Sequence, residues 1–270
     1  MNEKAKKQRL DEILVEHNFF ESKNKAQAAI MAGDVKVDDK VITKAGFQLV
    51  FSSKLKIEIK TMPYVSRGGF KLEKALKEFN VNLKNRICLD SGASTGGFTD
   101  CMLQNGAKKV YAVDVGYNQL AWKLTQDPRV KNIEKTNIKN AEFSMIYDKD
   151  EQIADFCAMD VSFISITKIL NNLKTLLTDD FEVITLIKPQ FEAGKEDVGN
   201  GVIKDEKIHI KILDGLVNFF AENGFILLNL TFSPIKGPKG NIEYLAHLKN
   251  KGTAINPDIS QLVKSAFESL

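Results

Sequence analysis

Four ionisable residues, Lys71, Asp160, Lys188 and Glu243, stand where side chains of this 270-residue chain can meet a ligand. Lys188 follows the apolar run Val183-Ile184-Thr185-Leu186-Ile187 and precedes Pro189, so it leaves a strand at its C-terminal end. Asp160 ends an earlier run, Ala158-Met159-Asp160, and is the natural carboxylate to orient Lys188. Two amines with two carboxylates suit the removal of a proton from a weakly acidic hydroxyl. A free lysine, with a pKa near ~10.4, is charged at neutral pH. A nearby cation, a second lysine and partial burial favour its neutral form, whereas carboxylates oppose this and hold the amines in place. Lys188 is therefore the expected general base, with Lys71 and Glu243 aligning the attacking oxygen and its proton. Each residue alone has a plain alternative: a helix surface for Lys71, a helix cap for Asp160, a strand-face charge for Glu243. Their order, and the strand ends that carry two of them, favour the joint reading.

A second motif lies nearby. Asp90-Ser91-Gly92-Ala93-Ser94-Thr95-Gly96-Gly97-Phe98 follows a short apolar strand and opens a helix. Glycines in such a turn allow positive φ and let the backbone approach a ligand. The spacing is not G-x-G-x-x-G, which argues against a dinucleotide pyrophosphate. Asp114 ends the next strand, 24 residues after Asp90, and could take the two ribose hydroxyls of an adenosine cofactor. Asn137, after the third strand, could meet the adenine edge or simply cap a helix. An acid, a glycine-rich turn, a strand and a second acid form the pattern used to bind S-adenosylmethionine. The expected cofactor-contacting set is Asp90, Gly92, Ala93, Ser94, Gly96, Gly97, Phe98, Asp114 and Asn137. No metal site is expected.

These residues need a scaffold. Apolar runs at 87–91, 109–114, 130–134, 154–160, 182–187, 225–232 and 242–247 read as strands. Helices fall near 97–105, 117–124, 165–177 and 205–222. The alternation predicts an α/β fold, a doubly wound, Rossmann-like sheet with ligands at the strand C-termini. A last helix is expected with Asn256 as cap and Pro257 in its first turn, burying Ile259, Leu262, Val263 and Phe267. The first sixty residues read as a separate small α+β domain. Leu10, Ile13 and Leu14 mark one helix, and Ser22 caps a second that carries Ala26, Ala29 and Ile30 and ends at Gly33. Val35 and Val37 alternate with polar residues, Asp38-Asp39 turns the chain into Val41, and Leu55, Ile57 and Ile59 supply another strand. The expected organisation is thus 1–60, a linker at 61–65 containing Pro63, and 66–270.

Charge is uneven along the chain. Residues 1–62 hold 12 Lys+Arg against 9 Asp+Glu, whereas the remaining 208 hold 26 of each. The excess could meet phosphates through Lys4, Lys6, Lys7, Arg9, Lys23 and Lys25, or it could serve solubility alone. The longest uncharged stretch, 223–235, falls well short of the ~18 apolar residues of a membrane helix. With no apolar leader evident and three scattered cysteines, Cys88, Cys101 and Cys157, a cytoplasmic protein is expected.

The N-terminal pieces Arg9-Leu10-Asp11, Ser22-Lys23-Asn24-Lys25-Ala26 and Gly33-Asp34-Val35-Lys36-Val37 resemble the S4 RNA-binding domain, although that family typically has arginine where Lys23 stands. Over about residues 8–248 the chain resembles the TlyA family, in which an S4 domain precedes an FtsJ-like methyltransferase. The resemblance rests on Ser66-Arg67-Gly68-Gly69-Phe70-Lys71-Leu72, Asp114-Val115-Gly116-Tyr117, Asp160-Val161-Ser162-Phe163, Ile187-Lys188-Pro189-Gln190-Phe191-Glu192-Ala193-Gly194 and Gly237-Pro238-Lys239-Gly240-Asn241-Ile242-Glu243. It implies that Lys71, Asp160, Lys188 and Glu243 form a Lys-Asp-Lys-Glu catalytic tetrad. It also implies S-adenosylmethionine-dependent 2′-O-methylation of cytidine in ribosomal RNA, with ribosomal RNA or subunits as partner. Arg9, Lys23, Lys25 and Arg67 would face that RNA, and a monomer is favoured. Competing expectations are a non-catalytic ribosome-assembly factor, a small-molecule methyltransferase, and the haemolysin that many relatives are labelled.

Overall fold

The computed structural model describes residues 7–20, 22–52, 55–60, 62–194 and 196–270. Contacts divide the chain into two compact units, Met1–Pro63 and Tyr64–Leu270.

In the smaller unit, β1 (Lys7–Arg9) leads into α1 (Leu10–Glu16) and α2 (Lys23–Met31), followed by β2 (Val35–Val37), β3 (Lys40–Val41), β4 (Gln48–Val50) and β5 (Ile57–Ile59). Ser22 Oγ accepts from Lys25 N at the head of α2, and Gly33 turns the chain out of it at φ +77°. Val35 and Val37 bury against Leu10, Ile13, Leu14, Ala26 and Ile30 while Lys36 stays exposed, the alternation expected of a half-buried strand. Asp38 and Asp39 both take positive φ in the tight turn to β3. The pairing of β1 with β4 has no counterpart among the sequence expectations.

The larger unit contains α3 (Gly68–Glu78), β6 (Ile87–Ser91), α4 (Gly97–Gln104), β7 (Lys109–Val113), α5 (Trp122–Thr125), β8 (Val130–Ile133), α6 (Phe143–Ile146), β9 (Phe156–Met159), α7 (Thr167–Thr175), β10 (Glu182–Ile187), α8 (Pro189–Glu192), α9 (Glu206–Glu222), β11 (Ile226–Phe232), β12 (Tyr244–Lys249) and α10 (Ile259–Ser269). Its seven-stranded sheet has the order β11-β12-β10-β9-β6-β7-β8. The five strands from β10 to β8 are parallel, whereas β12 runs antiparallel to both β10 and β11. Alternate residues of each central strand feed separate cores. Ile87 and Leu89 join α7, α9 and α10 on one face; Cys88 joins α3 and α4 on the other. Strand order reverses between β6 and β9, so a crevice opens beyond their C-termini, where α/β sheets bind ligands.

Four local readings need correction. The helix expected at 117–124 shrinks to the single turn α5, because Asn118 adopts φ +54° and its N–H is taken by Glu134. The final helix is capped by Asp258, whose Oδ1 accepts from Gln261 N, and not by Asn256. Helix α3 was not anticipated, although Leu72, Ala75 and Leu76 line its buried face at helical spacing. Tyr64 and Val65, expected as linker, are packed in the larger unit: the Tyr64 ring is buried over Gly69, and Val65 N donates to Asp100 Oδ2 at 2.8 Å.

At the far end of the sheet, Glu182 accepts from His247 Nε2 at 2.6 Å and from Arg86, whose Nε also reaches Asp155 Oδ1 at 3.0 Å. Burial opposes its charge, yet these two hydrogen bonds hold the Glu182 carboxyl down at about 2. Replacing Glu182 by Ala leaves Arg86 and His247 without their shared partner. Urea unfolding should show a loss of about 3 kcal/mol, and an unchanged midpoint would refute this account of the network.

Candidate active site

All four tetrad candidates meet at the crevice. Lys188 follows β10 directly and Asp160 follows β9, so neighbouring parallel strands deliver them side by side, with Lys188 Nζ 2.5 Å from Asp160 Oδ1. Lys71 comes from the first turns of α3 and Glu243 from the residue before β12; their side chains meet at 2.5 Å, Nζ to Oε2. Lys71, Lys188 and Glu243 are all buried, Glu243 at 0% exposure. Burial raises the Glu243 carboxyl above its usual range, although Lys71 pulls the other way. Gly237 packs against this carboxylate: a Cβ there would lie 2.0 Å from Glu243 Oε1, an oxygen that has no hydrogen-bond partner among the described residues.

Two adjoining cavities share Gly92, Ser94, Asp160 and Ser162 as a common wall. One, of about 300 Å³, is lined by Lys71, Lys188, Arg67 and Lys236. The other, of about 540 Å³, reaches Asp114, Gln119 and Asn137. Both volumes fall within the usual range for small-molecule sites. Gly92 sits at their junction with φ +88°, and a Cβ on it would come within 2.4 Å of the Asp160 carbonyl oxygen. Only glycine permits that approach of the β6 turn to the β9 turn.

The nine cofactor candidates separate by position. Gly92, Ser94, Asp114 and Asn137 border the larger cavity, while Ala93, Gly97 and Phe98 border the smaller. Asp90 and Gly96 border neither. Gly96 instead faces Leu120 and Leu124, which a Cβ would strike, so it is a packing position. Asp114 organises the turn, accepting from Ser94 N through Oδ2 and from Gly116 N through Oδ1, each at 2.7 Å. Asn137 caps the short 3₁₀ turn Ile138–Asn140, its Oδ1 accepting from Lys139 N.

Sequence reasoning passed over three residues here. Ser162 Oγ accepts a hydrogen bond from Lys188 Nζ at 2.8 Å. Phe163, at φ +65° and 90% exposed, stands at the rim with its ring 5.1 Å from that of Phe191. Glu192 ties the loops after β9 and β10 together, accepting from Ser165 Oγ at 2.5 Å and from Ile166 N at 2.9 Å. A serine or aromatic in a loop carries no periodic signal, so only the fold exposes these roles.

The smaller unit gives a different account of the expected RNA-facing cations. The Arg9 guanidinium is engaged by Asp11, with Nε–Oδ1 at 3.0 Å and Nη2–Oδ2 at 2.7 Å. That grip holds the Asp11 carboxyl down at about 2. Lys23 Nζ lies 2.7 Å from Glu12 Oε1. Both would have to exchange an internal carboxylate for a phosphate. Lys7 and Lys25 are exposed, and Lys4 and Lys6 lie outside the described residues.

Beneath the glycine-rich turn, Asp90 is completely buried; Thr99 Oγ1 donates to its Oδ2 at 2.6 Å, and Oδ1 has no partner among the described residues. Burial pushes its carboxyl up from 3.8 to about 7. Between those values the folded chain holds a proton that the unfolded chain releases, so stability falls as pH rises from about 4 to 7. Asp90→Asn should remove as much as about 4 kcal/mol of that pH dependence. Urea unfolding at pH 5 and 7.5 on both proteins measures it, and identical slopes would count against a buried neutral Asp90.

Residues 64–250 match the FtsJ-like methyltransferase model, and residues 8–53 match the S4 domain. Hemolysin A of Brachyspira hyodysenteriae is 47% identical over 247 residues, covering 88% of this chain and 98% of that protein. The 16S/23S rRNA (cytidine-2′-O)-methyltransferase TlyA of Mycobacterium tuberculosis is 36% identical over 249 residues, covering 92% and 91%. A solved structure described as a hemolysin from Streptococcus thermophilus superposes with a TM-score of 0.76 at 44% identity, covering 98% of this chain and 97% of that one. A strand-end lysine and aspartate, a glycine-rich turn at the switch point and an N-terminal S4 domain thus occur together in this chain, which belongs to the FtsJ-like methyltransferases and, within them, to the TlyA family.

Proposed function

We propose that this protein methylates the 2′-hydroxyl of a ribose, a cytidine in ribosomal RNA, using S-adenosylmethionine. The observation that carries the reading is the pairing of Lys188 with Asp160 and of Lys71 with Glu243 beside the wall shared by the two cavities. The cofactor fits the larger cavity. Gly92 leaves its wall without a side chain, and Asp114 stands at its edge with a carboxylate suited to two ribose hydroxyls. Asn137 would meet the adenine edge, with its amide available while Oδ1 caps the following turn. When bound, S-adenosylmethionine supplies an electrophilic methyl group carried on a sulfonium.

The chain's own residues manage the hydroxyl. Lys188 Nζ takes the proton as the oxygen becomes nucleophilic, and Asp160 holds that amine at the cavity wall. Lys71, fixed by Glu243, donates to the same oxygen and keeps its lone pair directed across the shared wall. Arg67 and Lys236 line the smaller cavity with positive charge, which suits a target flanked by phosphates. The S4 unit, residues 1–60, would dock on folded RNA through Lys7, Arg9, Lys23 and Lys25, by backbone and shape more than by sequence. Among the described residues no helix is long and apolar enough to cross a membrane.

Undermethylated ribosomal subunits incubated with methyl-tritiated S-adenosylmethionine should acquire label at a cytidine 2′-oxygen. Lys188→Ala should lower kcat by roughly 10²–10⁴-fold while calorimetry shows unchanged cofactor affinity. Full activity in that variant removes Lys188 from the mechanism. Deleting residues 1–60 should weaken rRNA binding at least about tenfold and flatten its salt dependence, while thermal unfolding of the larger unit is retained. Equal RNA affinity with and without the segment would rule out the docking role.

A further inference from the structure

We infer that Ser162 is a positioning residue that aims the Lys188 amine, an inference that rests on Lys188 being the general base. The amine has two close neighbours of different character. Asp160 Oδ1 lies 2.5 Å away as a charge contact, and that oxygen receives no directed hydrogen bond among the described residues. While the amine is protonated, this attraction holds the nitrogen near the carboxylate but does not by itself set its rotation about the terminal bond. The directed hydrogen bond from Nζ goes instead to Ser162 Oγ, at 2.8 Å.

Rotation matters because a neutral amine has a single lone pair. It accepts a proton only along that lone pair, so N–H bonds held in other directions keep the lone pair on the substrate. With one N–H committed to Ser162 and the nitrogen anchored by Asp160, the lone pair is left for the smaller cavity, which Lys188 and Lys71 line together. Lysine has a flexible four-carbon stem and no planar head group to fix its orientation, so an external acceptor is needed.

The backbone explains why Ser162 can serve. Its loop leaves β9 against the Gly92 turn, where a Cβ on Gly92 would collide with the Asp160 carbonyl. It then bends sharply at Phe163, φ +65°. Glu192 ties Ser165 and Ile166 of this loop to the segment that follows Lys188. The hydroxyl is therefore held from both sides. Ser162 itself is exposed and borders both cavities, so removing its oxygen leaves no hole in the core.

The test compares Ser162→Ala, Ser162→Thr and Lys188→Ala in the full-length protein, with undermethylated ribosomal subunits as substrate. Ser162→Ala should lower kcat about tenfold or more, the effect expected when a reacting group loses its alignment. KM for the subunits and the calorimetric affinity for S-adenosylmethionine should stay within about twofold, since rotation of the amine affects neither binding step. Ser162→Thr keeps the hydroxyl and should recover most of the rate. Unchanged kcat in Ser162→Ala, with Lys188→Ala inactive, overturns this inference and leaves the general-base reading intact. Lost cofactor affinity in Ser162→Ala, or no recovery with Thr, overturns it as well. An active Lys188→Ala removes the reading on which it stands.

Discussion

Two amines cannot be buried in a cleft without counter-charges at contact distance, and the larger unit of this protein is organised around that requirement. An unpaired buried cation carries a desolvation penalty of several kcal/mol, which only a close, well-placed carboxylate offsets. Lys71 meets Glu243 and Lys188 meets Asp160, each at 2.5 Å. The members of the first pair lie 172 residues apart in sequence. Helix α3, the two parallel strands β9 and β10, and the final hairpin must all be in position before both pairs are made. Folding of the sheet and assembly of the site are therefore the same event.

The turn after β6 imposes a second constraint. Asp90 and Asp114 flank it, but the structure uses them differently from one another. Asp114 accepts from the backbone N–H groups of Ser94 and Gly116, one on each oxygen, shaping the loop at the cavity edge while a further lone pair on each oxygen remains for a ligand. Asp90 lies below the loop, out of reach of either cavity, with Thr99 as its donor and a carboxyl raised by burial. An acidic residue at the head of a glycine-rich motif is thus part of the turn's foundation here, not part of its lining.

Much of this was legible in the chain itself. Runs such as 183–187 announce buried strands because apolar residues dominate them on both faces, and a charged residue at their C-terminal end has nowhere to go but the crevice. That is why the sequence alone pairs Lys188 with Asp160. Glycines were harder: Gly92 and Gly96 look alike in the motif, yet one opens the ligand wall and the other makes room for Leu120 and Leu124. Cations were harder still. Arg9 and Lys23 read as phosphate ligands, and only the geometry of α1 and α2 reveals that each must first leave an internal carboxylate, Asp11 or Glu12. Ser162 stands in the motif after β9, but nothing in its spacing marks it, since its contact with Lys188 depends on where a neighbouring strand ends.

One feature of the topology accounts for the placement of the last acid. Strands β9 and β10 point their C-termini at the crevice, so Asp160 and Lys188 come after their strands. Because β12 travels the opposite way, pairing Tyr244 with Ile187, its beginning lies at that same edge. Glu243 therefore precedes its strand. Had the chain returned in the parallel sense, the identical residue would emerge some twenty ångströms away, about the length of a six-residue strand, at the opposite rim of the sheet. The side of a strand on which a reactive residue is written thus encodes that strand's polarity.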